Sequence, residues 1–150
     1  YPDVECESLR RALAQAEGVP MESIICGNGA ADLIFGLALA LKPAKALLPA
    51  PTFAEYEQAL TACGCETEYY FLSEEEGFRP GEGFLDHIGK DMDMVFFCNP
   101  NNPTGVAVEP EYLKKLAQRC RDTGTFLVPD GHEGRRTPSR RTRGSGRGGY

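Results

Sequence analysis

Three stretches of this sequence carry residue types and spacings that could do chemistry. Gly27-Asn28-Gly29-Ala30-Ala31 joins one apolar run to a second, longer one. Glycines permit a tight turn, and small side chains leave backbone N–H groups open where a helix starts, which is how a phosphate is bound. A glycine-rich turn before a helix is also commonly a turn and nothing more. The second stretch is Asn99-Pro100-Asn101-Asn102-Pro103-Thr104-Gly105. Its prolines fix the backbone and present amides from a rigid loop. A side-chain amide can donate to a phenolate oxygen or accept from a hydroxyl; the plainer reading is a turn with good capping residues. The third is Asp130, expected just past the apolar run Phe126-Leu127-Val128. It is either a loop cap or a carboxylate aimed at a ligand.

These residues need elements to position them. Leu9, Ala12, Leu13 and Ala16 fall on one helical face, so residues 5–17 are expected to form a helix that Gly18 ends. Residues 23–26 read as a short strand, and residues 30–41 as a helix apolar on nearly all sides and therefore buried. Lys42-Pro43 stops that helix. Strands are expected over 45–48, 66–72, 94–98 and 125–128. Helices are expected over 53–63 and 109–122, with a short helical turn over 84–88 after a surface loop at 73–83. Leu113, Leu116, Ala117 and Cys120 make the apolar face of the last helix. Strands alternating with helices imply βαβ units, hence an α/β fold of three layers around a mostly parallel sheet. Ligands of such sheets collect beyond the C-terminal ends of the strands. All three stretches are expected there.

The composition suits one globular domain: 150 residues, 41% apolar and 25% charged. The net charge of −6 is unevenly spread. Residues 131–150 hold six arginines against the single acid Glu133, while residues 1–130 hold 10 basic and 21 acidic side chains. The chain therefore divides into a body, 1–130, and an Arg/Gly-rich end, 131–150, expected to be disordered. The longest strongly apolar stretch, 30–41, contains Asp32 and is too short for a bilayer. No basic-then-apolar leader opens the chain, so a cytoplasmic protein without membrane attachment is expected. Cysteines at 6, 26, 63, 65, 98 and 120 show no zinc-type spacing; Cys63-Gly64-Cys65 is too close. No metal site is expected. His87 and His132 belong to no pattern and take no role.

Taken together, the motifs resemble those of pyridoxal-phosphate (PLP) dependent aminotransferases of fold type I. Cys98-Asn-Pro-Asn-Asn-Pro-Thr-Gly105 is similar to a hallmark of that family, and Gly27-Asn-Gly-Ala-Ala-Asp-Leu-Ile34 to its phosphate-cup turn. Pro51-Thr-Phe-Ala-Glu-Tyr56 resembles the segment supplying the ring-stacking aromatic. Phe126-Leu-Val-Pro-Asp130 resembles the strand whose Asp pairs with the pyridine nitrogen. The four occur in the family's order and span roughly residues 1–130. Within the family the likeness is greatest to histidinol-phosphate aminotransferases and threonine-phosphate decarboxylases.

The resemblance implies part of the PLP-binding large domain, and it implies roles. The backbone of Gly29, Ala30 and Ala31 would cradle the cofactor phosphate. Phe53 would stack on the ring, its plainer alternative being a core phenylalanine. Asn102 would meet the phenolic oxygen, and Asp130 would keep the pyridine nitrogen protonated, favouring the ring's use as an electron sink. Tyr56 reads first as helix packing. The implied activity is transfer of an amino group between an amino acid, phosphorylated in the histidinol-phosphate manner, and a 2-oxo acid. The alternative is decarboxylation of threonine phosphate. A homodimer is implied for the whole protein.

The pattern departs from the family after Asp130. The lysine expected to form the Schiff base lies downstream of that Asp, whereas the lysines here are 42, 45, 90, 114 and 115. No catalytic residue is therefore assigned within this chain, which is expected to be a fragment without activity of its own. Residues 131–150 hold almost no apolar side chain, which is expected of a reading-frame slip near residue 130. A basic, nucleic-acid-binding tail is the rival reading; one aromatic, Tyr150, argues against it.

Overall fold

The structure, a computed structural model, describes residues 3–131. His132 and the Arg/Gly-rich end lie outside the described residues. Helix α1 (Glu7–Glu17) leads through a single 3-10 turn (Met21–Ser23) to α2 (Ala30–Leu41). There follow β1 (Lys45–Ala50), α3 (Ala54–Ala62), β2 (Glu66–Phe71), α4 (Glu82–Asp86), β3 (Met94–Cys98), α5 (Pro110–Thr123) and β4 (Phe126–Asp130).

The four strands form one all-parallel sheet in the order β2-β1-β3-β4. Because successive side chains of a strand point to opposite faces, each apolar run feeds two cores. Ala46, Leu48, Met94 and Phe96 pack on one face with Ile34 and Ala38 of α2 and Tyr56, Ala59 and Leu60 of α3. Leu47, Val95 and Phe97 pack on the other with Phe84 and Leu85 of α4 and Leu116 and Cys120 of α5. Helices thus cover both faces, giving the expected three layers. Met94–Cys98 is a strand over the residues expected, and its first four are buried.

Helix ends follow local chemistry. Gly18 and Gly124 close α1 and α5 in the left-handed conformation, at φ of 69° and 77°. Pro110 opens α5, where its missing N–H costs nothing. The carboxylate of Asp93 accepts the backbone N–H groups of Ala44 and Lys45 at 2.8 and 3.0 Å, pinning the start of β1 beside that of β3.

Four expectations are corrected. Ile24 is extended, with φ −116° and ψ 127°, but residues 23–26 make no strand. Strand identity requires a partner, and the described sheet offers them none; Ile25 is 75% exposed. Helix α2 is not buried all round. Ile34 and Ala38 face the core, whereas Leu33, Leu39 and Leu41 stay exposed, because only α3 and the sheet cover it. The apolar face of α1 likewise buries no residue. That helix is held instead by Arg10, whose guanidinium donates to the carbonyls of Ile24 (2.9 Å) and Met21 (3.2 Å). Lastly, Asp130 is the final residue of β4, a half-exposed edge strand, and does not lie beyond it.

All six cysteines are free. Among the described residues no helix is long and apolar enough to cross a membrane.

Candidate functional site

Asp130 ends β4 directly beside Cys98, the last residue of β3. The ladder runs on one step further, the Asn99 N–H donating to the Asp130 carbonyl at 2.7 Å. The carboxylate is therefore delivered at the C-terminal edge of the sheet by strand pairing alone. One of its oxygens, Oδ2, accepts the hydroxyl of Tyr56 at 2.5 Å. Tyr56 is wholly buried on α3 and lies stacked on Phe96, with ring centroids 4.8 Å apart. Burial first, and the hydrogen bond to Asp130 second, hold its phenol far above the ordinary tyrosine range. It thus remains a proton donor towards a half-buried carboxylate whose other oxygen makes no hydrogen bond to the described residues.

Phe53 sits immediately before α3 and meets Tyr56 edge-on, at 5.5 Å and 83°. It is half-buried and packs against the core under α2 and α3, together with Cys98 and Val128. Phe53, Tyr56 and Asp130 accordingly form one connected line along the sheet's C-terminal edge.

The loop after β3 is built on Asn101, which is 9% exposed. Its Nδ2 donates to the Pro51 carbonyl and to Thr104 Oγ1, both at 2.9 Å, and its Oδ1 accepts the Thr52 hydroxyl at 3.0 Å. These bonds tie the loop to the segment carrying Phe53. Asn99 Oδ1 accepts the Val108 N–H at 2.9 Å and closes the loop's far side. With its neighbour turned inward as a brace, Asn102 is exposed and makes no side-chain hydrogen bond to the described residues. Of two adjacent amides, one is framework and the other faces outward.

Gly29 precedes α2 at φ 86° and ψ 173°, and a Cβ placed there would meet nothing within 4 Å. The space before the helix is open. The first N–H groups of a helix have no partner within it, so those of Ala30 and Ala31 are free to face an anion. Asp32 helps to shape the turn by accepting the Asn28 N–H at 2.9 Å. Gly27 is closed: a Cβ would come within 2.9 Å of Leu33. No strand of the described sheet leads into this turn, and α2 packs on α3, the helix that Phe53 precedes.

The donor set fits PLP. An open helix start matches a phosphate dianion, Phe53 offers a ring, Asn102 an uncommitted amide, and Asp130 a free carboxylate oxygen braced by Tyr56. All four contributions were expected from the motifs, in their order along the chain. Asn101 and the bracing role of Tyr56 were not. The available signal for Tyr56 was its hydroxyl on an otherwise apolar helix face, since a buried phenol needs a partner.

Comparison with known proteins agrees. The pattern of the family "Aminotransferase class I and II" matches residues 1–131. Threonine-phosphate decarboxylase of Salmonella typhimurium is 39% identical over 130 residues, which are 87% of this chain and 36% of that protein. Histidinol-phosphate aminotransferase of Methanosarcina mazei is 31% identical over 121 residues, 79% of this chain and 33% of that one. The crystal structure of L-threonine-O-3-phosphate decarboxylase from Porphyromonas gingivalis superposes with a TM-score of 0.72 at 29% identity, covering 87% of this chain and 37% of that one. The chain thus spans about a third of the length of these relatives. Across that third the fold coincides, and the chain belongs to the class I and II aminotransferase family of PLP-dependent enzymes.

Proposed function

We propose that this chain is the cofactor-gripping part of an enzyme that breaks a bond at the amine-bearing carbon, Cα, of a phosphate-bearing amine substrate. The observation that carries it is the Tyr56–Asp130 hydrogen bond, which holds a carboxylate at the sheet's C-terminal edge beside Phe53. In this reading Ala30 and Ala31 donate their N–H groups to the cofactor phosphate, and Gly29 leaves room for it. Phe53 packs on the ring face. Asn102 Nδ2 donates to the phenolic oxygen. The free oxygen of Asp130 accepts from the pyridine N–H and keeps the proton on nitrogen. Tyr56 fixes the direction of that carboxylate. Bound there, PLP supplies an electron sink for the pair left at Cα.

Two readings of the bond broken remain, each with its own support. Loss of the carboxylate is favoured by the higher identity to a threonine-phosphate decarboxylase. Transfer of the amino group to a 2-oxo acid is favoured by the family pattern and by the histidinol-phosphate aminotransferase. The apolar side chains left open on α1 and α2 support a whole protein that covers them with its remaining length or with a second subunit.

The test uses the whole protein that contains this chain. Carbon dioxide released from threonine phosphate without any 2-oxo acid identifies decarboxylation. Glutamate formed from 2-oxoglutarate only when histidinol phosphate is present identifies amino transfer. Neither product from either substrate overturns the assignment of a phosphate-bearing substrate.

A further inference from the structure

Cys98 stands where the two halves of the candidate site meet. It ends β3 on the same rung as Asp130. Phe96, two residues before Cys98, and Val128, two residues before Asp130, both pack into the cluster that holds Tyr56. Side chains two apart along a strand share a face, so the Cys98 sulfur and the Asp130 carboxylate project to the side on which Tyr56 lies. The thiol donates to the Pro100 carbonyl at 3.3 Å, two residues before Asn102. The sulfur also adjoins the Tyr56 hydroxyl, and after burial and Asp130 it is the next influence that keeps this phenol protonated. One half-buried side chain therefore meets both the loop that presents Asn102 and the donor that braces Asp130.

The chemistry of a thiol suits that place. It is a weak donor and a weak acceptor at once, so it can donate towards Pro100 while its lone pairs face the Tyr56 proton. Packing alone would be met by an apolar side chain of the same size. The sulfur is not set to hold a ligand itself, because the cavity it lines with Asn101 measures about 10 Å³, no larger than one water. We propose that Cys98 is a positioning residue for the cofactor, its thiol coupling the Asn102 loop to the Tyr56–Asp130 pair so that the phenolic-oxygen and ring-nitrogen contacts form together. The proposal rests on the cofactor reading above, and it holds whichever bond at Cα is broken.

The test is a PLP titration of the 150-residue chain and of Cys98→Ala, Cys98→Ser and Tyr56→Phe, followed by cofactor absorbance over a range of pH. Cys98→Ala is expected to bind PLP about three- to tenfold more weakly, as loss of a modest hydrogen bond requires. Its bound cofactor is expected to lose the ring-nitrogen proton at lower pH, because a less well aimed carboxylate holds that proton less firmly. Cys98→Ser keeps a donor and an acceptor, and is expected to stay within about twofold of the parent and to restore the pH profile. Added to Tyr56→Phe, the Cys98→Ala change is expected to weaken binding less than it does in the parent, since one of the two groups it couples is gone. Unchanged affinity and pH profile in Cys98→Ala, an equal loss with and without the Tyr56 hydroxyl, or no rescue by Cys98→Ser overturns the proposal. Thermal melts without cofactor are expected to show Cys98→Ala folded, and a loss of affinity that only tracks a loss of folding overturns it too. A parent chain that takes PLP, with Cys98→Ala indistinguishable from it, refutes the positioning role alone. A parent chain that does not take PLP refutes the cofactor reading on which that role rests.

Discussion

The hydroxyl of Tyr56 donates to Oδ2 of Asp130 across 74 positions of sequence, joining the middle sheet face to the end of β4. Replacing Tyr56 by Phe keeps the ring stacked on Phe96 and removes only that donor. Water can reach the half-buried carboxylate, so the loss is expected to be about 1–2 kcal/mol. Urea unfolding at neutral pH measures it. A variant as stable as the parent would show that the contact contributes nothing.

The same phenol predicts an alkaline limit. Its folded-state value is raised above the unfolded one, by burial first and Asp130 second. Stability from this source is therefore complete below the ordinary tyrosine value of about 10 and drains as pH rises beyond it. Tyr112, raised by burial, contributes in the same sense. The urea midpoint is expected to fall above about pH 10, and to fall less steeply in Tyr56→Phe. Parallel curves for the two proteins would contradict this assignment.

Asn101 and Asn102 are chemically identical neighbours with opposite duties. Asn101→Ala removes a buried amide and strips partners from the Pro51 carbonyl, Thr52 and Thr104, at an expected cost of about 2–3 kcal/mol. Asn102→Ala touches no internal bond and is expected to leave stability within about 0.5 kcal/mol while weakening PLP binding. Thermal melts and cofactor titrations of the two variants, run side by side, separate framework from ligand. Equal destabilisation by both changes would remove the distinction.

The two amides differ in a way that local sequence does not encode. The motif around residues 99–105 was plain, and its position beyond β3 followed from five apolar residues bounded by Asp93 and Asn99. Which amide turns inward depends on Pro51 and Thr52, some 50 positions away, and no local pattern reports that. The parallel, three-layer sheet was legible because the strand runs carry apolar residues for both faces. Residues 23–26 misled for the complementary reason. Their pattern is that of a strand, but a strand is made by its partner, and none of the described strands supplies one.

Cys120 is 2% exposed on α5, and burial pushes its thiol up to about 11. At about pH 8 it is expected to be the last of the six cysteines to react with iodoacetamide, and to react at an ordinary rate once urea unfolds the chain. Mass spectrometry of partly alkylated protein reads the order. Early modification of Cys120 in the folded chain would contradict its place in the core.

A PLP titration of the 150-residue chain, followed by cofactor absorbance, tests whether Gly29, Ala30, Ala31, Phe53, Asn102 and Asp130 together hold PLP. Saturable binding of one PLP per chain is expected, weakened about tenfold or more in Asp130→Ala, as loss of a charge-assisted hydrogen bond requires. Absence of saturable binding, or equal binding by Asn102→Ala, Asp130→Ala and the unaltered chain, would contradict it.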